Sequence, residues 1–349
     1  MIIVDLLRFS FQKKNVLSAF LCWTGLIFFL RKRTLQSNNL IILAYHRVIP
    51  EYKVDYEFDD DLISATPEQF DWQVRYIKKN YNLISFEDLA GYRESGTSLP
   101  QRSIIITFDD GFDDNYLYAY PILKKHNAKA CFFISTDYIG SDDFFWFDWA
   151  TYLCNQLKQD IILKVKNGKD EIRICVDQER KKMIRSFLSS LKEISNEDRK
   201  GAINQLESSV DIDNVNSKLS RAMSWEQVRS MHDSGLVEIG SHTKSHPILS
   251  QIKNDELYDE LCGSKRAIQN RLSINSCHIL SYPVGGVAAY NEVVLKAVKD
   301  AGYLYALTYI PGLNIFGETS DYLLKRLHVE KYLKKYRFKA MLELPKYLC

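Results

Sequence analysis

The chain has 349 residues, of which 46% are hydrophobic, so it has an ordinary globular composition and can bury a substantial core. Its seven cysteines include no CxxC pair, which argues against a disulfide framework and favours a reducing compartment. The net charge of +2 combines two basic ends, each with six Lys or Arg against one acidic residue, and a middle of about −8. These ends, residues 1–35 and 331–349, favour contact with an anionic membrane over nucleic-acid binding, although solvated charged faces would give the same pattern.

The first predicted element is the apolar stretch 16–30, which has basic residues on both sides. Its length falls short of the roughly 20 residues that cross a bilayer, and no small-residue cleavage site follows it. Three alternatives stay open: a membrane-surface or re-entrant helix, a short anchor, and a helix that packs on the body. We therefore separate an N-terminal segment, 1–38, from the main unit, 39–349, and expect a cytoplasmic or membrane-associated protein.

Strand and helix patterns alternate after this segment. Strands are predicted at 40–45, 104–107, 130–134, 237–240, 278–280, 305–308 and 322–329, and helices at 67–80, 86–92, 118–126, 225–233, 255–272 and 291–301. Thr66, Ser85 and Ser224 are the expected N-caps of three of these helices. The alternation indicates a parallel α/β architecture.

Residues 144–222 interrupt this alternation and are interpreted as an α-rich insertion. They begin with the aromatic run Phe144-Phe145-Trp146-Phe147-Asp148-Trp149 and continue with a predicted hairpin around Asn167-Gly168. Two charged helices, 178–194 and 197–210, follow. The aromatic side chains could line a sugar-binding cleft, although packing the insertion onto the body is the commoner use of such residues.

Two adjacent carboxylates, Asp109 and Asp110, follow the buried strand 104–107. Aspartates in such a place repel each other and lose hydration, so they persist only when paired, hydrogen-bonded or bound to a cation. The sequence therefore predicts positively charged or metal partners for this pair.

Two histidines, His242 and His246, follow the strand 237–240. Pro247 biases His246 away from the α region, so the pair is expected on a loop that wraps around a point. Two imidazoles at one strand end and two carboxylates at another make a His₂Asp set that suits a divalent metal with open positions for water and substrate.

Three sequence motifs, each at the end of a predicted strand, occur in order along the chain. They are Thr107-Phe108-Asp109-Asp110-Gly111-Phe112, Ser241-His242-Thr243-Lys244-Ser245-His246 and Leu280-Ser281-Tyr282-Pro283-Val284-Gly285. In this order they resemble the signature of the polysaccharide deacetylase family, also called the NodB-homology domain or carbohydrate esterase family four. Flanking matches are Ala44-Tyr45-His46-Arg47-Val48, Trp225-Glu226-Gln227-Val228 and His232-Asp233-Ser234-Gly235-Leu236. The resemblance covers residues 40–143 and 223–330 and leaves the insertion outside.

The resemblance implies a distorted (β/α) barrel and metal-dependent hydrolysis of N-acetyl groups on an N-acetylhexosamine glycan, polymeric or lipid-linked. Carried over by motif, Asp110, His242 and His246 would bind the metal, and Asp109 would be the general base. Zinc is the first expectation because it accepts this donor set and lowers the pKa of bound water to about 7, with cobalt, nickel and manganese as alternatives.

The motif at 280–285 implies the groups that contact the substrate carbonyl. The backbone N–H of Val284 resembles the family's oxyanion donor, and Tyr282 lies beside it in the motif. Many members carry Arg-Pro-Pro-Tyr-Gly here, so an arginine is missing from this place in the present chain. Its aromatic-proline sequence, Tyr282-Pro283, resembles that of the poly-N-acetylglucosamine deacetylase branch of the family.

Two histidines compete for the role of general acid. His46 follows the strand 40–45 in a Tyr-His pair like that of the branch just named, and its position after a strand suits the catalytic face of a barrel. His328 lies in an approximate match to the late Leu-x-x-His of other members. We favour His46, and we expect Arg47 or Arg326 to orient Asp109 or the acid.

Two other classes of function share these residues. One is a glycan-binding protein without turnover, which the complete set of Asp109, Asp110, His242 and His246 disfavours. The other is a metal-dependent deacylase of a non-sugar amide, which differs only in its cleft. The glycan, the metal and the oligomeric state are open at this point.

Overall fold

The structure is a computed structural model that describes residues 11–27, 37–50, 56–166, 168–176, 179–212 and 220–348. Its strands are β1 (Asn39–Tyr45), β2 (Arg47–Val48), β3 (Ile63–Ala65), β4 (Asn82–Leu83), β5 (Ser103–Phe108), β6 (Ala130–Ile134), β7 (Ile161–Val165), β8 (Asp170–Ile174), β9 (Val237–Ser241), β10 (Ile279–Ser281), β11 (Tyr305–Leu307), β12 (Asn314–Ile315) and β13 (Leu327–His328). The main sheet has the order β11-β10-β9-β6-β5-β1-β12, with β13 beside β1 and β4 beside β5. It is parallel apart from β12 and curls into a half-barrel, which confirms the expected α/β fold class.

Helices cover this sheet. They are α1 (Phe11–Trp23), α2 (Pro67–Asn80), α3 (Phe86–Glu94), α4 (Tyr120–His126), α5 (Trp146–Gln156), α6 (Arg180–Lys192), α7 (Asn196–Glu207), α8 (Trp225–His232), α9 (Asn254–Tyr258), α10 (Ser264–Leu272), α11 (Glu292–Asp300), α12 (Lys335–Glu343) and α13 (Pro345–Leu348). The caps predicted at Thr66, Ser85 and Ser224 are confirmed, and each forms a reciprocal capping box with the residue three positions later. A π-helical turn joins α9 to α10, so the predicted helix 255–272 is continuous but irregular.

The sheet is buried on both faces, as its continuous apolar strands require. In β1, Ile41 and Leu43 point into the larger core, whereas Leu40 and Ile42 point into the core under α3. Strands in the middle of a parallel sheet therefore need no polar face, and the polar residues collect where the strands end.

One predicted strand, 322–329, is largely wrong. Only Leu327–His328 forms a strand, beside β1, and Leu324 adds an isolated bridge to Leu307 of β11. Before it, the side chain of Asn314 binds both the N–H and the carbonyl of Lys325, and the N–H of Arg326 donates to the carbonyl of Ile310. Loop contacts satisfy this backbone, so an apolar pattern alone does not make it a strand.

The segment 144–222 contributes α5, the antiparallel hairpin β7–β8, α6 and α7, and its strands pair only with each other among the described residues. Helices were predicted here at 178–194 and 197–210, and both are confirmed, at Arg180–Lys192 and Asn196–Glu207. Buried side chains such as Phe187 and Leu206 belong to the same core as the sheet. The segment therefore packs firmly onto the body.

Helix α1 lies against α12. Leu21 and Ile27 pack on Ala340 and Leu344, as expected for a helix that packs on the body. Part of the predicted apolar stretch, residues 28–30, lies outside the described residues. Within the described ranges, no helix combines the length and the apolar character needed to cross a membrane.

Candidate metal centre and catalytic cleft

The polar motifs meet at one edge of the sheet. β1, β5, β9 and β10 are parallel neighbours or near neighbours, so their carboxyl ends lie together. His46, Asp109 and His242 each follow one of these strands, and Ser281 is the last residue of β10. His46, Asp109 and His242 line a cleft of about 320 Å³ together with Asp110 and His246.

Asp110, His242 and His246 form a buried cluster at this edge. Asp110 Oδ1 lies 3.4 Å from His242 Nε2 and 3.3 Å from His246 Nε2. Ligand atoms at about 2.1 Å from a tetrahedral ion are about 3.4 Å apart, so these separations fit one divalent metal. This is also the one cluster of three or more His, Cys, Asp or Glu found to suit a metal in the part of the chain that the structure describes.

The surroundings of the cluster also fit a metal. His242 Nδ1 donates to the carbonyl of Ser281 at 2.8 Å, which leaves the Nε2 lone pair free to face an ion. Asp110 Oδ2 is buried without a hydrogen-bond partner in the described structure. Burial raises the pKa of Asp110, but the neighbouring imidazoles of His242 and His246 outweigh it, and the pKa lies well below its ordinary value.

Backbone strain helps to aim these ligands. Asp110 and His246 have positive φ angles of 74° and 57°, which non-glycine residues seldom adopt. Asp109 and Asp110 meet different partners although they are adjacent, because the chain turns at Asp110. Gly111 continues the turn at φ 93°, and a Cβ there would lie 3.0 Å from the side chain of Ile134.

Asp109 is held in its charged form by Arg326. The fully buried guanidinium forms two hydrogen bonds of 2.7 Å to the two carboxylate oxygens. Burial opposes ionisation of Asp109, but Arg326 and neighbouring groups outweigh it and lower the pKa. Ser281 Oγ lies 3.3 Å from Asp109 Oδ2 and accepts a hydrogen bond from Arg326.

Arg47, the other arginine expected here, lies elsewhere. Its Nε donates to Asp114 at 2.8 Å, its Nη1 lies 3.6 Å from Asp148, and its guanidinium stacks over Phe112. Asp148 belongs to α5, so Arg47 connects the sheet to the segment 144–222. The expectation that Arg47 orients Asp109 is therefore wrong. Arg47 is next to His46 in the sequence, but successive side chains of an extended chain point in opposite directions, so Arg47 points away from the cleft.

The two competing histidines differ in position. His46 lines the cleft, with Nε2 at 3.9 Å from Asp109 Oδ2. His328 stacks on Tyr309 with ring centroids 3.6 Å apart, and burial lowers its pKa to about 4. Burial lowers the pKa of His46 as well, although Asp110 and Asp109 act in the opposite direction. The geometry therefore favours His46 as the imidazole that faces a substrate.

Tyr282 and Val284 also line the cleft. The Tyr282 hydroxyl donates to the carbonyl of Tyr322 at 3.1 Å, which fixes the ring. Val284 has a φ of 63°, unusual for a β-branched residue, and its N–H has no acceptor among the described residues. A free N–H in a strained turn at the cleft fits a donor to an oxyanion.

Among the other cleft residues, the sequence suggested the aromatic run, whereas Asp59 and Leu188 gave no signal. Trp146 and Phe147 of the aromatic run form one wall, and the Phe147 ring lies 5.2 Å from that of His246. Asp59 and Leu188 also line the cleft. Ser281 contacts Asp109 and Arg326 outside the cleft lining, and it could have been found because it lies inside the third motif. The aromatic run thus serves both suggested uses: Phe145 is buried in the core, whereas Trp146 faces the cleft.

Comparison with known proteins assigns this architecture to a class. The family model for polysaccharide deacetylases matches residues 96–306, and the chain belongs to this family. YxkH of Bacillus subtilis (strain 168), whose name places it among the polysaccharide deacetylases, is 22% identical over 312 residues, which cover 89% of this chain and 78% of that protein. The poly-beta-1,6-N-acetyl-D-glucosamine N-deacetylase of Staphylococcus aureus (strain MSSA476) is 29% identical over 122 residues, which cover 33% of this chain and 42% of that enzyme.

Solved structures share the fold. The deacetylase PplD of Streptococcus pyogenes, determined in complex with acetate, has a TM-score of 0.57 at 18% identity and covers 90% of this chain and 100% of its own. IcaB from Ammonifex degensii has a TM-score of 0.56 at 17% identity and covers 90% of this chain and 99% of its own. The distorted barrel expected from the motifs is thus confirmed.

Proposed function

We propose that this protein is a metal-dependent N-deacetylase that releases acetate from N-acetylhexosamine units of a glycan. The single observation that carries the proposal is the buried cluster of Asp110, His242 and His246 beside an Arg-paired Asp109. Asp110, His242 and His246 would hold the metal, with zinc first and cobalt, nickel or manganese as alternatives.

The residues divide the chemistry as follows. A bound divalent ion supplies Lewis-acid activation of water and of the amide carbonyl. Asp109 accepts the proton of the attacking water, and Arg326 keeps its carboxylate ionised for that task. The N–H of Val284 donates to the carbonyl oxygen as negative charge develops there. His46 protonates the leaving amine as the C–N bond breaks, which gives acetate and a free amino sugar.

Acetate release tests this proposal. We expect the purified protein with added zinc to release acetate from oligomers of N-acetylglucosamine, and the variant His242→Ala to release none. His278→Ala is a matched control, because His278 is an exposed histidine outside the cleft and should retain activity. Zinc binding at one equivalent without acetate release from any N-acetylated glycan would contradict the proposal and favour a glycan-binding protein.

One of the matched proteins suggests which glycan to test first. The match to the Staphylococcus aureus poly-beta-1,6-N-acetyl-D-glucosamine deacetylase supports β-1,6-linked N-acetylglucosamine as the first substrate to test. A lipid-linked N-acetylated sugar and a non-sugar acetamide should be assayed beside it. Faster release from the non-sugar amide would favour the deacylase alternative.

We also propose that α1 brings the protein to an anionic membrane surface. The observations are the outward face of this helix, where Phe20 is 54% and Trp23 is 87% exposed, and the exposed Lys334 and Lys335 at the start of α12, the helix on which α1 packs. Aromatic side chains beside basic residues suit the interface of a bilayer with anionic lipids.

A further inference from the structure

A second groove shares Trp146 with the catalytic cleft. It has a volume of about 710 Å³ and is formed between α7, the aromatic run and the loops after β6 and β9. Its lining includes Trp146, Trp149, Asn196, Arg199, Lys200 and Asn204. Because Trp146 lines both depressions, one ligand chain can pass from the catalytic cleft into this groove.

Arg199 is the feature that sets this groove apart. It is only 1% exposed, and it has no ion pair with a carboxylate among the described residues. Its Nη2 donates to Asn196 at 2.6 Å, whereas its Nη1 has no acceptor. Burial lowers its pKa to about 10. A buried cation without a counter-ion is costly, so the unused Nη1 donor indicates an acceptor that a ligand supplies.

A second unused donor lies beside it. The Arg199 guanidinium is 4.7 Å from the Trp146 ring, and Trp146 Nε1 is also buried without a hydrogen-bond partner among the described residues. Tryptophan in a sugar site offers an apolar face and one N–H donor, and both are present here. Two unsatisfied donors around one aromatic ring thus point to an oxygen-rich, partly apolar ligand.

The charges of the groove indicate what the ligand is. Asp137, Asp142 and Asp143 line it together with Arg199 and Lys200, so the groove carries acceptors as well as donors. Asp142 is paired with Arg221 at 2.7 Å, which leaves Asp137 and Asp143 to disfavour a polyanion. An uncharged sugar has hydroxyl and acetamido groups for both donors and acceptors.

We propose that this groove binds an uncharged N-acetylhexosamine unit of the same glycan, adjacent to the unit in the catalytic cleft. Arg199 and Trp146 donate to its oxygens, and Trp146 separates the two units. The inference rests on the proposed deacetylase function and extends it, because it makes an oligomer rather than a single sugar the preferred substrate.

Binding of short glycans tests this inference. In the variant Asp109→Asn, which removes the proposed base, isothermal titration should show tetramers of N-acetylglucosamine binding at least about tenfold more tightly than the monomer. Arg199→Met and Asn204→Trp, which blocks the groove from the exposed face of α7, should each remove most of this gain and leave monomer affinity unchanged. Lys182→Trp, at an exposed position of α6 outside every described groove, is the matched control.

Kinetics separates this inference from the proposed function. With Asp109 intact, Arg199→Met and Asn204→Trp should raise the KM for the tetramer and leave kcat unchanged. If the parent protein releases acetate but both groove variants bind and turn over the tetramer like the parent, the second subsite is overturned and the deacetylase proposal stands. If the parent releases no acetate, the proposed function fails, and equal affinity for monomer and tetramer would overturn the subsite independently.

Discussion

A carboxylate at the end of a buried strand stays ionised only beside a compensating charge, and Arg326 provides that charge for Asp109. The guanidinium also donates to the carbonyl of Thr308 and to Ser281, so it is oriented before it meets Asp109. Arg326 therefore both neutralises Asp109 and fixes its position, and mutation of either residue should destabilise the protein.

Arg326→Gln leaves Asp109 buried without its counter-ion. We expect it to lower the free energy of unfolding by about 3 to 5 kcal/mol. The double variant Asp109→Asn/Arg326→Gln should recover a large part of that loss, because no unpaired charge remains. Urea denaturation of the metal-free proteins measures both, and a double variant no more stable than Arg326→Gln would contradict the buried-pair account.

The kcat values of variants at His46 and His328 should show which histidine is the general acid. His46→Gln removes the imidazole that faces the cleft, so kcat for acetate release should fall by about 100-fold or more, with zinc affinity unchanged. His328→Gln should keep kcat near that of the parent, since this ring packs on Tyr309. A larger kcat loss in His328→Gln, with normal stability, would assign the acid to the other histidine.

At the scale of elements, the segment 144–222 is attached to the body by charged contacts around one turn. Arg185 of α6 forms two hydrogen bonds of 2.7 Å to Asp61, and the N–H of Asp59 donates to Asp148 of α5 at 3.0 Å. Burial and the nearby Asp148 raise the pKa of Asp59 to about 7, although Lys192 acts in the opposite direction. Docking of the segment should therefore depend on pH.

The raised pKa of Asp59 determines whether stability rises or falls with pH. Its folded-state pKa of about 7 exceeds the ordinary 3.8, so its contribution to stability is full below pH 4 and is lost as the pH rises through 7. Relative to Asp59→Asn, the parent should lose roughly 2 to 4 kcal/mol between pH 4 and pH 8. Parallel pH profiles of the unfolding free energy in both proteins would show that Asp59 has an ordinary pKa.

Helix α1 presents two faces that mutation can distinguish. Leu21 is 6% exposed and packs on α12, so Leu21→Ala should cost about 2 to 3 kcal/mol of stability. Phe20→Ala should leave stability within about 0.5 kcal/mol. In sedimentation with vesicles rich in anionic lipid, Phe20→Ala should bind less than the parent. Equal sedimentation of the two proteins would count against the membrane proposal.

At the scale of the whole molecule, the metal cluster connects two regions distant in the chain. Asp110 follows β5 and the histidines follow β9, with β6 between these strands in the sheet. A ligand that binds the folded protein alone stabilises it in proportion to its concentration above Kd. The metal should therefore stabilise the entire fold as well as activate water.

Metal removal tests this connection. Chelation should lower the Tm, and zinc at about 1,000 times its Kd should restore about 4 kcal/mol. His246→Ala should show no such response, whereas the exposed His278→Ala should respond like the parent. If a protein shown to contain zinc kept the same Tm after chelation, the cluster would not be the site that holds the ion.

The sequence by itself determined the fold class and most of the metal site. Apolar strands at 104–107 and 237–240 and capping residues such as Ser224 are local signals, and local hydrogen bonds and burial decide them. The convergence of Asp110, His242 and His246 was also predictable, because carboxylates and imidazoles placed at the ends of parallel strands lie at one edge of the sheet.

Tertiary structure alone decided the partners of these residues. Arg326 rather than Arg47 reaches Asp109, since contacts across 217 residues of chain depend on how the sheet curls and leave no periodic trace in the sequence. Likewise Trp146 faces two grooves while Phe145 is buried, although the two are adjacent in one aromatic run. Which side chain meets a substrate is a property of packing, and packing is settled only when distant elements come together.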